Sequence, residues 1–297
     1  MSSLKNPLKI VKKLPRNIYF SILRSNAVNK KYVAAAVCLC VLFLHVFNCF
    51  AKAGKQEVII TASSAIVVDL KKNKIAYSRN IHIKRAPAST LKILTALVAL
   101  ERLGPDAIVE VSHNASLTEP SKIWLKPGEK YRSIDLIKAV LISSANDASV
   151  ALAEAVAGSE SQFAKIMNKK ARSLGAKHSN FINASGLPAK NQYSTVYDLY
   201  RITRAALKNP VIYQIMKKKK TVIQSSDGRS IDLVNHNKLL FKKSYPLVLV
   251  KTGYTKSARH CYSGIAYAKN KEYAIVILRS SKPWTDIDNL LKLIKAR

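Results

Sequence analysis

Apolar positions in the 297-residue chain fall into runs of three kinds. The longest is Val33–Phe50, 18 residues in which only His45 and Asn48 are not apolar. Short strand-like runs follow at Val58–Thr61, Ser64–Leu70 and Ile75–Ser78. The polar turn Lys71-Lys72-Asn73-Lys74 joins the last two, which predicts an opening hairpin. From Ala88 to Arg102 the apolar residues recur at helical spacing with no breaker before Gly104-Pro105, which predicts a helix. Similar spacing predicts helices from Ser133, with Ser133-Ile134-Asp135 as its cap, to Ser143, and over Ala148–Ala157, Glu160–Leu174 and Ser194–Leu207. The pattern returns to strands at Leu247–Lys251, His260–Ala268 and Glu272–Leu278. A final helix over Asp286–Lys295 puts Ile287, Leu290, Leu291 and Ile294 on one face, which suits a core-facing helix better than one lying on a membrane. Strands at both ends with helices between them predict one α+β domain. Its antiparallel sheet would be built from the N- and C-terminal strands, with helices packed on it.

The first 53 residues do not belong to that domain. Residues 1–32 carry Lys5, Lys9, Lys12, Lys13, Arg16, Arg24, Lys30 and Lys31 and no acid; then come Val33–Phe50 and the small-x-small triplet Ala51-Lys52-Ala53. A basic lead, an apolar run and a small-residue site form the pattern of a secretory signal. The apolar run is also long enough to stay as a single membrane anchor. The predicted division is therefore 1–53 as signal or anchor and 54–297 as an exported domain, on the periplasmic or cell-wall side.

Charge adds a second constraint. Fifty basic residues face 17 acidic ones, a net +33, and without residues 1–53 the count is 41 against 17, a net +24. Such an excess calls for an anionic partner. Export removes nucleic acid from consideration and leaves an anionic wall or membrane surface. Cys38, Cys40 and Cys49 all lie in the apolar run, so Cys261 stands alone and a disulfide framework or cysteine zinc site is excluded. Cys261 reads as a small hydrophobe in a strand, with His260 facing the other way. The histidines His82, His113, His178, His236 and His260 show no metal-ligand spacing, and neither metal nor cofactor is expected. His236, just before Asn237-Lys238-Leu239-Leu240, reads as a turn histidine.

Three short patterns carry candidate chemistry. Ser89-Thr90-Leu91-Lys92 opens the first long helix, Ser144-Ala145-Asn146 closes the next, and Lys251-Thr252-Gly253 ends a strand. A serine hydroxyl needs a base within hydrogen-bond reach, and Lys92 lies one helical turn after Ser89. Lysine serves as a base only when burial or a second cation lowers its pKa, and Lys251 is a candidate for that cation. Ser144 is a candidate proton carrier toward a leaving amine, and Asn146 a candidate holder of a substrate amide. Lys251 and Thr252 suit a negatively charged substrate end. Gly253 would let the substrate lie against the strand edge, with Tyr254 beside it.

Ser-x-x-Lys, Ser-x-Asn and Lys-Thr-Gly in this order resemble the motif set of the penicillin-binding proteins and serine β-lactamases. The wording around them is similar to that of the D-alanyl-D-alanine carboxypeptidases, the low-molecular-mass penicillin-binding proteins. It includes Arg85–Ser89, Trp124-Leu125-Lys126-Pro127-Gly128, Ser143–Ala148, Asn183–Leu187, Asn237–Leu240 and Lys251–Thr255. The resemblance covers nearly all of residues 56–295. It implies a D-Ala-D-Ala carboxypeptidase acting on peptidoglycan stem peptides, with Ser89 as acyl-enzyme nucleophile, Lys92 as base and Ser144 as proton carrier. The backbone N–H groups of Ser89 and Tyr254 would form the oxyanion hole, Lys251 and Thr252 would bind the terminal carboxylate, and β-lactams would be covalent inhibitors. An endopeptidase cutting cross-links is the nearest alternative. A β-lactamase fits less well, because Phe181-Ile182-Asn183-Ala184 offers no glutamate where class A enzymes carry one. A non-catalytic wall-binding protein would not need all four of Ser89, Lys92, Ser144 and Lys251.

Some features depart from the family pattern. Arg259 follows Ala258 where a glycine is usual; its side chain would either crowd the strand beside the oxyanion hole or add a cation for substrate carboxylates, and the second reading is preferred. Arg279 reads as a solvated edge charge. With 44 residues after Gly253, the β-rich second domain and C-terminal anchor of many relatives are not expected, and attachment would fall to residues 33–50.

Overall fold

In the computed structural model, which describes residues 58–243 and 246–296, the two ends of the chain meet in one antiparallel sheet. Its strands are β1 (Ser64–Asp69), β2 (Lys74–Arg79), β7 (Val248–Thr255), β8 (Arg259–Ala268) and β9 (Lys271–Ser280), in the order β2-β1-β9-β8-β7. The signal or anchor expected over 1–53 lies outside the described residues. Among the described residues no helix is long and apolar enough to cross a membrane.

Helices cover both faces of the sheet, which is why its central strands read as unbroken apolar runs rather than alternating ones. Ala65 and Val67 of β1 pack with Ile275 and Ile277 against Ile287, Leu290, Leu291 and Ile294 of the last helix, Pro283–Ala296. All four of those side chains are buried, worth about 1.5–3 kcal/mol each, so the helix faces the core as expected. Ile66 and Val68 point to the other face and pack with Val276, Leu278 and Leu199.

Between the terminal strands lie α1 (Lys92–Leu103), α2 (His113–Leu117), α3 (Ser133–Ile142), α4 (Asn146–Ala157), α5 (Glu160–Ser173), α6 (Val196–Leu207) and α7 (Pro210–Lys217); the last helix is α8. Short strands β3 (Ile108–Glu110) and β4 (Lys130–Arg132) pair with each other, as do β5 (Lys220–Gln224) and β6 (Ser230–Val234). Nine consecutive residues of α1, Lys92 to Leu100, are buried, so this helix is central rather than amphipathic.

Four local expectations change. Val58–Thr61 is not a strand, because Thr61 gives its backbone N–H and its hydroxyl to Asp286 of α8 instead of a ladder. Ser133 does not cap α3: the cap position is Arg132, and the Ser133 hydroxyl donates to the Gly104 carbonyl. The helix expected from Ala148 begins at Asn146, so Ser144-Ala145-Asn146 leads into α4 rather than closing α3. Strand β7 runs on past Lys251 to Thr255, pairing Gly253 with Cys261 and Tyr254 with His260. The Lys-Thr-Gly motif therefore lies within the outermost strand, whose other edge carries no strand among the described residues.

Candidate active site

Ser89 sits in the 3-10 turn Ala88–Leu91 that leads into α1. The preceding residue, Ala88, has φ +48°, a left-handed conformation that costs a non-glycine residue about 1–2 kcal/mol. Two glycine backbones press on the turn and hold it. A Cβ added to Gly253 would come 2.8 Å from the Ser89 amide nitrogen, and one on Gly186 would come 2.3 Å from the Ala88 carbonyl oxygen. Glycine at 253 is thus what allows β7 to lie against the Ser89 turn.

Lys92, the first residue of α1, is fully buried. Its Nζ donates to Ser89 Oγ at 3.0 Å, to Asn146 Oδ1 at 2.6 Å and to the Ser185 carbonyl oxygen. Burial, followed by the nearby Lys251 cation, holds its pKa well below the ordinary lysine value, while Glu160 and Asp147 pull the other way. A lowered pKa favours the neutral amine, which can accept the hydroxyl proton of Ser89.

Lys251, 1% exposed, donates to the Thr252 carbonyl oxygen at 2.9 Å. Burial pushes its pKa down to about 7. An unfolded lysine titrates at about 10.4, so between the two values the unfolded chain binds more protons than the folded one. The contribution is fully destabilising below the folded pKa and is relieved as pH rises. Lys92 acts with the same sign. Urea unfolding is accordingly expected to show stability from Lys251 rising between about pH 7 and pH 10, and Lys251→Met should flatten that rise.

Ser144, buried and with φ +60°, lies between α3 and α4. The amide of Asn146 is engaged at both ends, its Oδ1 by Lys92 and its Nδ2 as a donor to the Glu119 carbonyl at 2.7 Å. The expected hold of Asn146 on a substrate amide would have to share these partners.

Ser89, Ser144, Asn146, Thr252, Gly253 and Tyr254 line one cleft of about 250 Å³. Of the eight residues singled out in the sequence, only the buried Lys92 and Lys251 are not on its surface. Sequence reasoning gave no role to several other wall residues. Ser185 provides the carbonyl that binds Lys92, and Gly186 and Leu187 line the cleft. The signal was the segment Asn183–Leu187, where Asn183 Oδ1 accepts the Gly186 N–H at 2.8 Å and closes the turn. Pro120 and Ser121 form another part of the wall. His236 also lines the cleft rather than serving only as a turn residue; partial burial and the nearby Lys251 and Lys92 cations lower its pKa, which keeps the ring neutral at pH 7.

Arg259 is exposed, has φ +57° and is not among the residues that line the cleft, although its strand partner Thr255 is; the left-handed backbone is one that glycine adopts without strain. Arg279 is exposed and donates to the Ser257 carbonyl at 3.1 Å. Cys261 is buried behind the Ser89 turn, its thiol pushed up to about 12 by burial, while His260 lines the cleft with its ring tilted 41° against that of Tyr254, centroids 4.6 Å apart.

Residues 51–282 match the family described as D-alanyl-D-alanine carboxypeptidase. The chain belongs to that family. Over 245 residues it is 36% identical to the D-alanyl-D-alanine carboxypeptidase DacF of Bacillus subtilis, covering 80% of this chain and 62% of that protein. It spans a little under two thirds of that relative's length. A D-alanyl-D-alanine endopeptidase of Escherichia coli is 30% identical over 238 residues, 79% of this chain and 76% of the relative. The crystal structure of a D-alanyl-D-alanine carboxypeptidase from Mycobacterium tuberculosis H37Rv superposes with a TM-score of 0.77 at 30% identity, over 82% of this chain and 95% of that one. The likeness extends the family's fold over the sheet, the helices and the cleft of this D-alanyl-D-alanine carboxypeptidase family member.

Proposed function

We propose that this chain is a serine-type D-Ala-D-Ala carboxypeptidase that removes the terminal D-alanine from peptidoglycan stem peptides. The observation that carries the reading is the Lys92 Nζ, buried and with a lowered pKa, 3.0 Å from Ser89 Oγ. Ser89 Oγ attacks the carbonyl carbon of the penultimate D-alanine while its proton passes to Lys92. The carbonyl π electrons move onto oxygen, which is held by the N–H groups of Ser89 and Tyr254. As the tetrahedral intermediate collapses, the C–N bond breaks and Ser144 passes a proton to the leaving amine. Water then hydrolyses the Ser89 ester. Lys251 and Thr252 receive the terminal carboxylate, and the substrate lies along the outer edge of β7 where Gly253 leaves room.

Peptidoglycan lies outside the cytoplasmic membrane, which fits residues 1–53 as an export signal, cleaved after Ala53 or retained through residues 33–50. The excess of lysine and arginine would hold the domain near an anionic wall or membrane surface.

Fluorescent penicillin is expected to label the protein covalently and to leave the Ser89→Ala variant unlabelled. An unlabelled wild type would remove the acyl-enzyme reading. The 30% identity to an E. coli D-alanyl-D-alanine endopeptidase supports a second reading, cleavage of cross-links by the same site. Product analysis on purified muropeptides separates the two: free D-alanine from monomers marks the carboxypeptidase, and monomers from cross-linked dimers mark the endopeptidase.

A further inference from the structure

The segment 119–125 is bonded at every second residue to Asn146 of the Ser-x-Asn motif or to its neighbour Asp147. The Glu119 carbonyl accepts from Asn146 Nδ2, and the Ser121 carbonyl accepts the Asn146 N–H, both at 2.7 Å. The buried carboxylate of Asp147 then accepts the N–H of Ile123 at 3.0 Å and that of Leu125 at 3.1 Å. Between those two anchored amides stands Trp124, 66% exposed and with φ +60°. Its carbonyl is pinned by Arg229 Nη2 at 3.0 Å, and the Lys122 ammonium lies 4.6 Å from its ring centroid.

A bulky residue in the left-handed region is rare and points to a constraint other than stability. Nothing is gained in burial either, since the ring remains mostly in water. The fold thus holds a large aromatic face rigidly outward, on a segment whose Ser121 lines the catalytic cleft. Three residues of chain cannot place the Trp124 Cα more than about 10 Å from that of Ser121.

We infer that Trp124 is a stacking platform for a sugar ring of the glycan strand that bears the stem peptide. The face of a pyranose presents C–H groups that suit an aromatic surface, while its hydroxyls remain in water. One ring beside a cation is too small a patch for an apolar protein partner. Three residues from Ser121 of the cleft wall, the ring is near enough to meet the polymer that a peptide held at Ser89 would carry. The inference rests on the carboxypeptidase reading above for the identity of that polymer.

Two measurements test it. The chain has two tryptophans, so a Trp284→Phe background leaves Trp124 as the sole tryptophan, and excitation at the red edge of the band reads it apart from the tyrosines. Peptide-free glycan chains should change its emission saturably, without need of catalysis, and no change would overturn the platform. Second, Trp124→Ala should lower kcat/KM on glycan-linked substrate about five- to tenfold while leaving a free D-Ala-D-Ala peptide within about twofold. Trp124→Phe should restore most of the loss. Equal loss on both substrates, or none on the polymer, would also overturn it. A wild type that binds glycan but takes no penicillin label would instead sink the carboxypeptidase reading and leave the platform standing.

Discussion

Lys92→Met is expected to abolish most acylation while leaving the protein as stable as before, or more so. The amine is fully buried, and its lowered pKa records the free energy spent in keeping a charge there. Methionine fills a similar volume with no charge, so the cost of keeping an ammonium out of water disappears with the substitution. Three acceptors lose a donor: Ser89 Oγ, Asn146 Oδ1 and the Ser185 carbonyl. The first two can turn toward other partners in the cleft. Loss of a general base costs about 10²–10⁴ in rate, and the rate of penicillin labelling reads it directly. Thermal unfolding of the same variant supplies the other half of the test. A drop in Tm together with unchanged labelling would show that Lys92 is structural.

Gly186→Ala is the second large effect, and it acts on fold and site together. Gly186 has φ +82°, and an added Cβ would meet the Ala88 carbonyl oxygen at 2.3 Å and the Ser89 nitrogen at 2.9 Å. The neighbouring atoms are backbone, so no flexible side chain can yield. The left-handed backbone costs about 1 kcal/mol and the overlap about 1–3 kcal/mol, for a total of about 2–4 kcal/mol by urea unfolding. The movement that relieves the overlap also carries the Ser185 carbonyl away from Lys92 and turns the Ser89 amide. Labelling should therefore fall even at temperatures where the variant remains folded. An Ala variant that matches the wild type in both respects would mean that the segment 183–187 is not fixed by its contact with Ala88.

The strands of the sheet were legible because each is an apolar run with a polar turn, as at Lys71–Lys74. The candidate site residues were legible because Ser89 and Lys92 are one helical turn apart and Lys-Thr-Gly falls in a strand. What stayed hidden has particular causes. The hairpin β5–β6 was missed because its strands alternate Val222 and Val234 outward with Ile223 and Leu233 inward behind the run Lys217–Lys220, which masks the period. Helix α7 was missed although Asn209 caps it and Pro210 opens it, a clear start signal on a segment of only eight residues. The Ser185 carbonyl was invisible for a deeper reason: a backbone acceptor has no residue type, and only the turn that aims it is written in Asn183 and Gly186. Arg259 is the opposite case, since a charge is easy to read but the direction of its side chain is not.

The edge of β7 that carries no strand among the described residues has a further consequence. A strand that must accept an extended peptide is also a template for the edge of a second copy, the usual route from a sheet to an aggregate. Here the Ser89 turn and the wall segment around Ser121 line, with Thr252–Thr255, a slot of about 250 Å³. A single slim chain fits such a slot, whereas the margin of another folded sheet does not. Two copies, each strongly cationic, also repel before they touch. The geometry that would admit a peptide for cleavage therefore also works against pairing of two copies through the same edge.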